Sequence, residues 1–309
     1  MLNTSNSILE KVRLPIGKDE PFSFDIKRDD LIDPVISGNK WRKLKYNLLN
    51  ASGRKNEGVI TFGGPFSNHL IATAKAASIA KLKSIGIVRG DELSFKSNET
   101  LSFCHDLGMK LVFVSRSEYR EKGEPFYVKQ LHQKYPNYFM IPEGGGNYYG
   151  VIGCQEILSE TPNNYDHVYL SGGTGTTGTG ILLGVSEKSK VNIVSALKGG
   201  FLKKEVEQLL YLVLNDKDLV DTYTSQLIVH NDAHFGGYAK VTDELLNYVN
   251  NVYDTIKLKL DPIYTAKTFY KMELDFKNGI INSSDKVLFI HTGGLQGALS
   301  WRNKIHFLK

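Results

Sequence analysis

The sequence predicts an α/β fold of doubly wound, largely parallel sheets, and three observations carry that expectation. Seven short apolar runs each end in Gly or polar residues: 58–64, 84–90, 110–116, 167–173, 191–200, 225–230 and 286–294. Each is apolar almost throughout, as strands covered on both faces are. Segments of helical period fall between them, and strand-helix alternation sustained along a chain implies parallel sheets flanked by helices. The chain has 309 residues, room for two domains at roughly 150 residues each. It shows no internal repeat and no long linker.

Taken in order, the first clear element is a helix over Asn39 to Ala51, carrying Trp41, Leu44, Leu48 and Leu49 at helical spacing. The run GVITFGG (58–64) is a buried strand, and the Ala-rich stretch Ser67 to Leu82 is the helix after it. SIGIVRG (84–90) and KLVFVSR (110–116) are further strands. The Gly-rich turn Pro142 to Gly146 is the best candidate for a crossing between two lobes. HVYLSGG (167–173) and VNIVSALKGG (191–200) precede an amphipathic helix over Leu202 to Leu214. SQLIVH (225–230), a helix over Val241 to Val252 with Thr242 or Asp243 as its cap, and KVLFIHTGG (286–294) complete the pattern.

Composition excludes several function classes. Lys plus Arg is 38 and Asp plus Glu is 33, a net charge of +5, and the two signs are interspersed rather than gathered on one stripe. Binding to nucleic acid is therefore not expected. No apolar run approaches the ~20 residues of a membrane span, and the opening MLNTSNSILEKVRLP lacks a basic-then-apolar signal, so a cytoplasmic protein is expected. Cys104 and Cys154 are the only cysteines. They are too few for a disulfide framework or a zinc site, and no metal is expected; free, partly buried thiols are.

In open α/β sheets ligands sit beyond the carboxyl ends of the strands, so the residues there carry the functional information. The densest cluster is SGGTGTTGTG, Ser171 to Gly180, with five Gly, four Thr and one Ser between a strand and a helix expected near Ile181. Glycines let backbone amides converge on an anion, and hydroxyls add donors, which makes a phosphate cup. No Gly-Lys-Ser/Thr follows, so it is not a nucleotide P-loop. The G-x-G-x-x-G within it has no convincing acid about 20 residues on, as a dinucleotide site requires. A flexible polar loop is the alternative.

Two further strand ends matter. In ISGNKWRKLKY, Lys40 stands at a helix start, where the dipole favours anions, so a neutral amine suits the position. Its other reading is a solvated lysine among Arg42, Lys43 and Lys45. In TFGGPFSNHL, the amides at Ser67, Asn68 and His69 form a seat for a carboxylate at the positive end of the Ala-rich helix, unless Ser67 is simply its N-cap. A phosphate cup, an amine and a carboxylate seat together point to pyridoxal phosphate handling an amino acid.

With RDDLIDPVISGNKWRKLKY, GGPFSNH, PEGGGN, the Thr/Gly loop, HFGGY, DPIYTAK and HTGG in this order and spacing, the chain resembles the 1-aminocyclopropane-1-carboxylate deaminase and D-cysteine desulfhydrase family. That family belongs to the tryptophan-synthase-β-like, fold type II pyridoxal phosphate enzymes. The resemblance runs from about Arg28 to Leu295. It implies two doubly wound parallel-sheet lobes: a large cofactor-binding domain of residues 1–45 and 147–309, and a small α/β domain of residues 46–146. It also implies a homodimer.

By the same resemblance, Lys40 carries pyridoxal 5'-phosphate and later moves a proton, chemistry that suits an amine whose pKa is lowered by burial or cationic neighbours. Lys43 helps hold the phosphate together with Thr174, Gly175, Thr176, Thr177 and Gly178. Asn68 bonds the cofactor's ring hydroxyl and, with His69, lines the substrate seat. Ser67 faces the substrate carboxylate or acts as nucleophile in ring opening. Tyr238 and Tyr264 match tyrosines near the substrate, where a phenol donates or shuttles a proton; the commoner role of a tyrosine is a core aromatic with a bonded tip. Phe66 stands where the family commonly has Gln, and Ser37 where it commonly has Gly. His234 and His291 lack metal-like spacing, which favours packing roles.

Two threonines bear on the reaction. Deaminase-like members have an acid after the DPxY tyrosine and an apolar residue after the His of HxGG; here Thr265 and Thr292 hold those positions, as in desulfhydrase-like members. With Thr265 at the substrate and Thr292 at the cofactor, the implied activity is β-elimination from D-cysteine, giving pyruvate, ammonia and sulfide. Ring opening of 1-aminocyclopropane-1-carboxylate to 2-oxobutanoate and ammonia is the alternative. A non-catalytic cofactor or amino-acid binding protein is disfavoured by Lys40, Ser67 and the two tyrosines.

Overall fold

The structure is a computed structural model that describes residues 2–16, 21–162, 164–237 and 240–308. Strands β1 (Leu9–Leu14) and β2 (Phe22–Lys27) come first and pair antiparallel, from Leu9 opposite Lys27 to Leu14 opposite Phe22. Their residues alternate between core and solvent, so they never form the apolar run by which the other strands are recognised; Phe22, Phe24 and Ile26 point inward while Ser23 is exposed.

The chain next builds a four-stranded parallel sheet. Helix α1 (Asn39–Gly53) leads to β3 (Gly58–Gly63), α2 (Asn68–Ile79), β4 (Lys83–Arg89), α3 (Glu99–Asp106) and β5 (Met109–Val114). Helices α4 (Arg116–Arg120) and α5 (Pro125–Lys134) then bring it to β6 (Tyr138–Met140). The strand order is β5-β4-β3-β6, with β3 buried along its whole length. Helix α1 runs unbroken through positions 45 and 46.

From the 142–146 turn the chain builds a second sheet. Its elements are α6 (Tyr148–Ser159), β7 (His167–Gly172), α7 (Thr176–Leu182), β8 (Lys190–Ser195), α8 (Leu202–Leu214) and α9 (Lys217–Thr224). They are followed by β9 (Leu227–His230), α10 (Asp243–Ile256), α11 (Thr265–Lys277) and β10 (Val287–Ile290). The six strands lie in the order β1-β2-β10-β7-β8-β9, with only β1 antiparallel. Side chains of β10 alternate between two cores: Val287 and Phe289 join Phe24, Leu245 and Phe269 under α10 and α11, while Leu288 and Ile290 join Ile181, Ile193 and Leu202 under α7 and α8. Thr242 caps α10, accepting from the Leu245 amide at 3.2 Å. Both cysteines are free and fully buried, further inside than expected. Among the described residues no helix is long and apolar enough to cross a membrane.

In both sheets the strand order reverses direction once. The chain steps outward from β7 to β8 and β9, while β10 lies on the other flank of β7; likewise β4 and β5 lie to one side of β3 and β6 to the other. Crevices open beyond the carboxyl ends of strands at such switch points. The segments after β3, β6, β7 and β10 line one cavity of about 580 Å³.

Candidate active site

The cavity wall is built from strand ends. Gly64 to His69 follow β3, Arg89 ends β4, Glu143 and Gly144 follow β6, Ser171 to Gly175 end β7 and lead into α7, and Thr292 to Gly294 follow β10. The first turn of α1 supplies Asn39, Lys40 and Lys43. That turn is fixed by a close approach of backbones: a Cβ at Gly38, whose φ is +66°, would stand 1.9 Å from the Thr292 carbonyl oxygen, so only glycine fits there.

The Lys40 ammonium donates to Asn39 Oδ1 at 2.8 Å, and Asn39 Nδ2 donates to Thr177 Oγ1 at 2.9 Å, which ties α1 to the start of α7. Lys40 keeps some accessible surface because its amine opens on the cavity, yet protein encloses it on every other side. Burial first, and the Lys43 charge second, lower its pKa to about 7. Lys43 is also lowered by burial, and no carboxylate pairs with it among the described residues.

His69 completes this group. The Thr61 hydroxyl donates its single proton to the Ile141 carbonyl at 2.9 Å, so the contact of 2.9 Å between Thr61 Oγ1 and His69 Nε2 has the ring nitrogen as donor. His69 Nδ1 is then an acceptor, buried on the cavity wall and without a partner among the described residues. Burial, with Lys40 and then Lys43 behind it, holds the ring neutral, its pKa lowered to about 3.

Across the cavity, Gly175 takes a left-handed conformation (φ +73°) as N-cap of α7. The first backbone bond of the helix runs from Thr179 N to Gly175 O at 2.9 Å, which leaves the amides at 176–178 without an acceptor inside the helix. Thr174 and Thr176 share a hydroxyl contact of 3.0 Å. At the third strand end Ser67 both caps α2, accepting from the Leu70 amide at 3.3 Å, and lines the cavity beside Asn68.

Behind the site, Arg42 is fully buried on the opposite face of α1. Its Nε and Nη2 donate to Asp29 at 3.1 and 2.9 Å, and its Nη1 and Nη2 donate to Glu160 at 2.6 and 2.8 Å. Lys27 also pairs with Glu160 at 2.8 Å. Burial alone would raise the Glu160 carboxyl, but hydrogen bonds from Arg42 and Lys27 outweigh it and bring it down to about 2. This network locks α1 to β2 and α6.

Most residues expected at a site meet here: Lys40, Lys43, Ser67, Asn68, His69, Thr174, Gly175, Thr177, Gly178, Tyr264 and Thr292 all line the cavity. Thr176 is buried behind it. Tyr238 lies outside the described residues. Thr265 differs from expectation: it is fully buried, and its hydroxyl donates to Asp261 Oδ2 at 2.7 Å instead of facing the cavity. The helix expected near Ile181 begins at Thr176. His291 packs, its Nε2 donating to the Lys259 carbonyl at 2.7 Å, and His234 Nδ1 accepts from the Gly236 amide at 3.0 Å. Phe66 is 66% exposed at the cavity rim. Arg89, Arg42 and Asp261 went unread. Arg89 ends a predicted strand, the position that marks a site residue in this architecture.

Two largely parallel sheets meeting at a cavity, with a buried lysine whose pKa is lowered to about 7 at its wall, have the layout of a fold type II pyridoxal phosphate enzyme. A family model described as pyridoxal-phosphate dependent enzyme matches residues 13–293, and the chain belongs to that family. It is 30% identical over 285 residues to a Pyrococcus horikoshii protein named "Putative 1-aminocyclopropane-1-carboxylate deaminase", covering 91% of this chain and 87% of that one. It is 32% identical over 297 residues to the bifunctional D-cysteine desulfhydrase/1-aminocyclopropane-1-carboxylate deaminase of Arabidopsis thaliana mitochondria, covering 88% and 72%. Its fold matches the crystal structure of a 1-aminocyclopropane-1-carboxylate deaminase homologue with a TM-score of 0.75 and 27% identity, over 93% and 89% of the two chains. The cofactor fits the residues present: a phosphate dianion suits the Lys43 side chain, which no carboxylate pairs with among the described residues, and the amides at 176–178 of α7, while its aldehyde needs an amine such as Lys40 that loses its proton near pH 7.

Proposed function

We propose that this enzyme releases ammonia and a 2-oxo acid from a small amino acid, with β-elimination from D-cysteine as the preferred reaction. The observation that carries the reading is the amine of Lys40, near-neutral and facing a cavity whose other walls are a Gly/Thr loop and the N-terminus of α2. When bound, pyridoxal phosphate supplies a conjugated ring that accepts the electrons released as bonds at the substrate Cα break. Lys40 would carry it and, once freed by the substrate amine, would take the Cα proton and pass it to the departing group. Lys43 and the loop of Thr174, Gly175, Thr176, Thr177 and Gly178 hold the phosphate, Asn68 bonds the ring hydroxyl, and Thr292 stands at the ring. The amides at the start of α2 seat the substrate carboxylate, and the Ser67 hydroxyl, which accepts from Leu70, keeps its own proton free to donate to it. Tyr264 and Tyr238 serve proton transfer to the product.

The choice of β-elimination rests on threonine at 265 and 292, the residues that desulfhydrase-like members have; Thr292 lines the cavity, whereas Thr265 stands behind it and acts through Asp261. A neutral hydroxyl at the ring suffices when a good leaving group such as thiolate departs. We assign Thr265 a positioning role: it holds Asp261, whose Oδ1 accepts from the Tyr264 amide at 2.8 Å. A large domain of residues 1–45 and 147–309, a small domain of residues 46–146, a homodimer and a cytoplasmic location remain parts of the proposal. Sedimentation of the purified protein tests the dimer.

The experiment is a substrate panel on cofactor-loaded protein, with D-cysteine, L-cysteine, D-serine, β-chloro-D-alanine and 1-aminocyclopropane-1-carboxylate scored for 2-oxo acid. The expected result is turnover of D-cysteine or β-chloro-D-alanine with little ring opening; faster turnover of the cyclopropane reverses the choice. Lys40→Ala should abolish both activity and borohydride labelling of a folded protein. A label mapped to Lys43 instead would overturn the assignment.

A further inference from the structure

The cavity holds one more cation than the cofactor accounts for. Lys40 and Lys43 stand on the α1 side, and Arg89 stands at the carboxyl end of β4, exposed at the cavity mouth. A guanidinium nitrogen of Arg89 lies over the turn between β3 and α2, 3.4 Å from where a Cβ on Gly64 would stand. The guanidinium carbon is 5.8 Å from the centroid of the Tyr119 ring, a face that steadies a planar cation without neutralising it. Among the described residues no carboxylate pairs with Arg89. Among the described residues Glu143 is the single acid lining the cavity, and it is engaged by the Tyr119 hydroxyl at 2.7 Å and by Lys122 at 3.4 Å.

The neighbours of Arg89 say what it faces. It adjoins the segment 64–69, which carries the seat for the substrate α-carboxylate, and Phe66 projects an apolar ring at the same rim. With the amides of α2 already given to the α-carboxylate, a second unpaired cation there addresses a second negative charge. A guanidinium grips carboxylate, sulfonate or phosphate in two-pronged fashion, and an aromatic ring beside it covers the methylenes in between.

We infer that Arg89 selects for substrates that carry an anionic group beyond Cβ, so that the preferred class is β-substituted alanines whose leaving group X ends in such an anion. The inference rests on the β-elimination reading above. In that reaction the Cα–H and Cβ–X bonds break, X departs with the bonding electrons and gains a proton, and one water supplies the oxygen that replaces nitrogen at Cα. One amino acid and one water give one pyruvate, one ammonium and HX.

The test compares two isosteres on cofactor-loaded full-length enzyme, S-carboxymethyl-D-cysteine and S-carbamoylmethyl-D-cysteine, which differ by one charge. The expected kcat/KM ratio favours the acid by about tenfold or more. Arg89→Gln should bring the ratio to about one and Arg89→Lys should keep part of it, since a point charge retains attraction without the fork. Arg89→Glu should invert it. A wild-type ratio near one overturns the inference, as does an Arg89→Gln variant that lowers both substrates equally, which would assign Arg89 to the α-carboxylate. β-Chloro-D-alanine separates the two failures: if it yields no pyruvate, the elimination reading fails. The charge preference is then read from D-aspartate against D-asparagine, by the change each makes in the absorption of the bound cofactor. No difference between that pair overturns the role of Arg89 independently.

Discussion

Arg42 and Lys43 are consecutive residues of α1, yet they face opposite electrostatic surroundings. Arg42 meets Asp29 and Glu160 through charge-assisted hydrogen bonds, and although burial opposes its charge, those acids raise its pKa above the ordinary value. Lys43, with Lys40 one turn earlier, faces a cavity that among the described residues offers no acid in contact, and burial lowers both. Desolvation is common to the two sides of the helix, so the local supply of carboxylates decides which cation stays charged. The balanced side is scaffold. The unbalanced side is poised for a ligand that brings its own negative charge, as functional sites with perturbed titration commonly are.

The sharpest way to break this contrast is Arg42→Ala. It would leave Asp29 buried without its cation and Glu160 with Lys27 alone, and truncating one partner of a buried network costs roughly 3–5 kcal/mol. Urea unfolding should show a loss of that size. A loss of about 1 kcal/mol or less, as for an exposed pair, would mean that the network does not hold α1 in place.

Gly175→Asp attacks the other side. A Cβ there would stand 3.0 Å from Val206 Cγ2, the φ of +73° disfavours any side chain, and the carboxylate would face an incoming dianion. Cofactor affinity measured by fluorescence titration should fall about tenfold, or ~1.4 kcal/mol. Unchanged affinity would make the loop a connector only.

The smallest effect is a pH profile that sharpens the comparison. In cofactor-free protein, acylation of Lys40 by an uncharged reagent should rise with pH and level off above about 7, whereas a solvated lysine keeps rising toward 10.5. Between about 7 and 10.5 the unfolded chain holds a proton that native Lys40 has released, so stability gained from this residue rises with pH across that window and is lost as pH falls through about 7. Lys40→Met should remove that slope. A profile for Lys40 that does not level before pH 10 would show that burial leaves its amine unperturbed.

Much of this was legible because its signals are local. The seven apolar runs all contain strands, and the amphipathic period set the limits of α8 at Leu202 and Leu214. The start of α7 was not legible, since Thr and Gly are poor helix formers. Packing overrides their propensity: a Cβ on Gly180 would stand 2.6 Å from Cys154 Cβ, and one on Gly178 would stand 2.1 Å from Ile193 Cδ1. These glycines let the helix approach α6 and β8, a gain that appears only when those elements are assembled. Thr265 differs for a related reason: its partner Asp261 sits one turn back in the chain and captures the hydroxyl that the family resemblance placed at the substrate.

By itself the sequence determined which groups are available: glycine-rich strand ends, two lysines at a helix start, a serine at another, and an order of motifs that names the family. Tertiary structure decided which of those groups are spoken for. Read locally, Arg42, Lys43 and Lys45 are one cationic face, but Arg42 is paired by Asp29, 13 positions away, and by Glu160, 118 positions away. Lys45 is held by Glu156 at 2.8 Å. Charge compensation acts through space and falls off within a few ångströms in water, so only the folded chain separates the cations that build the scaffold from those left for a ligand.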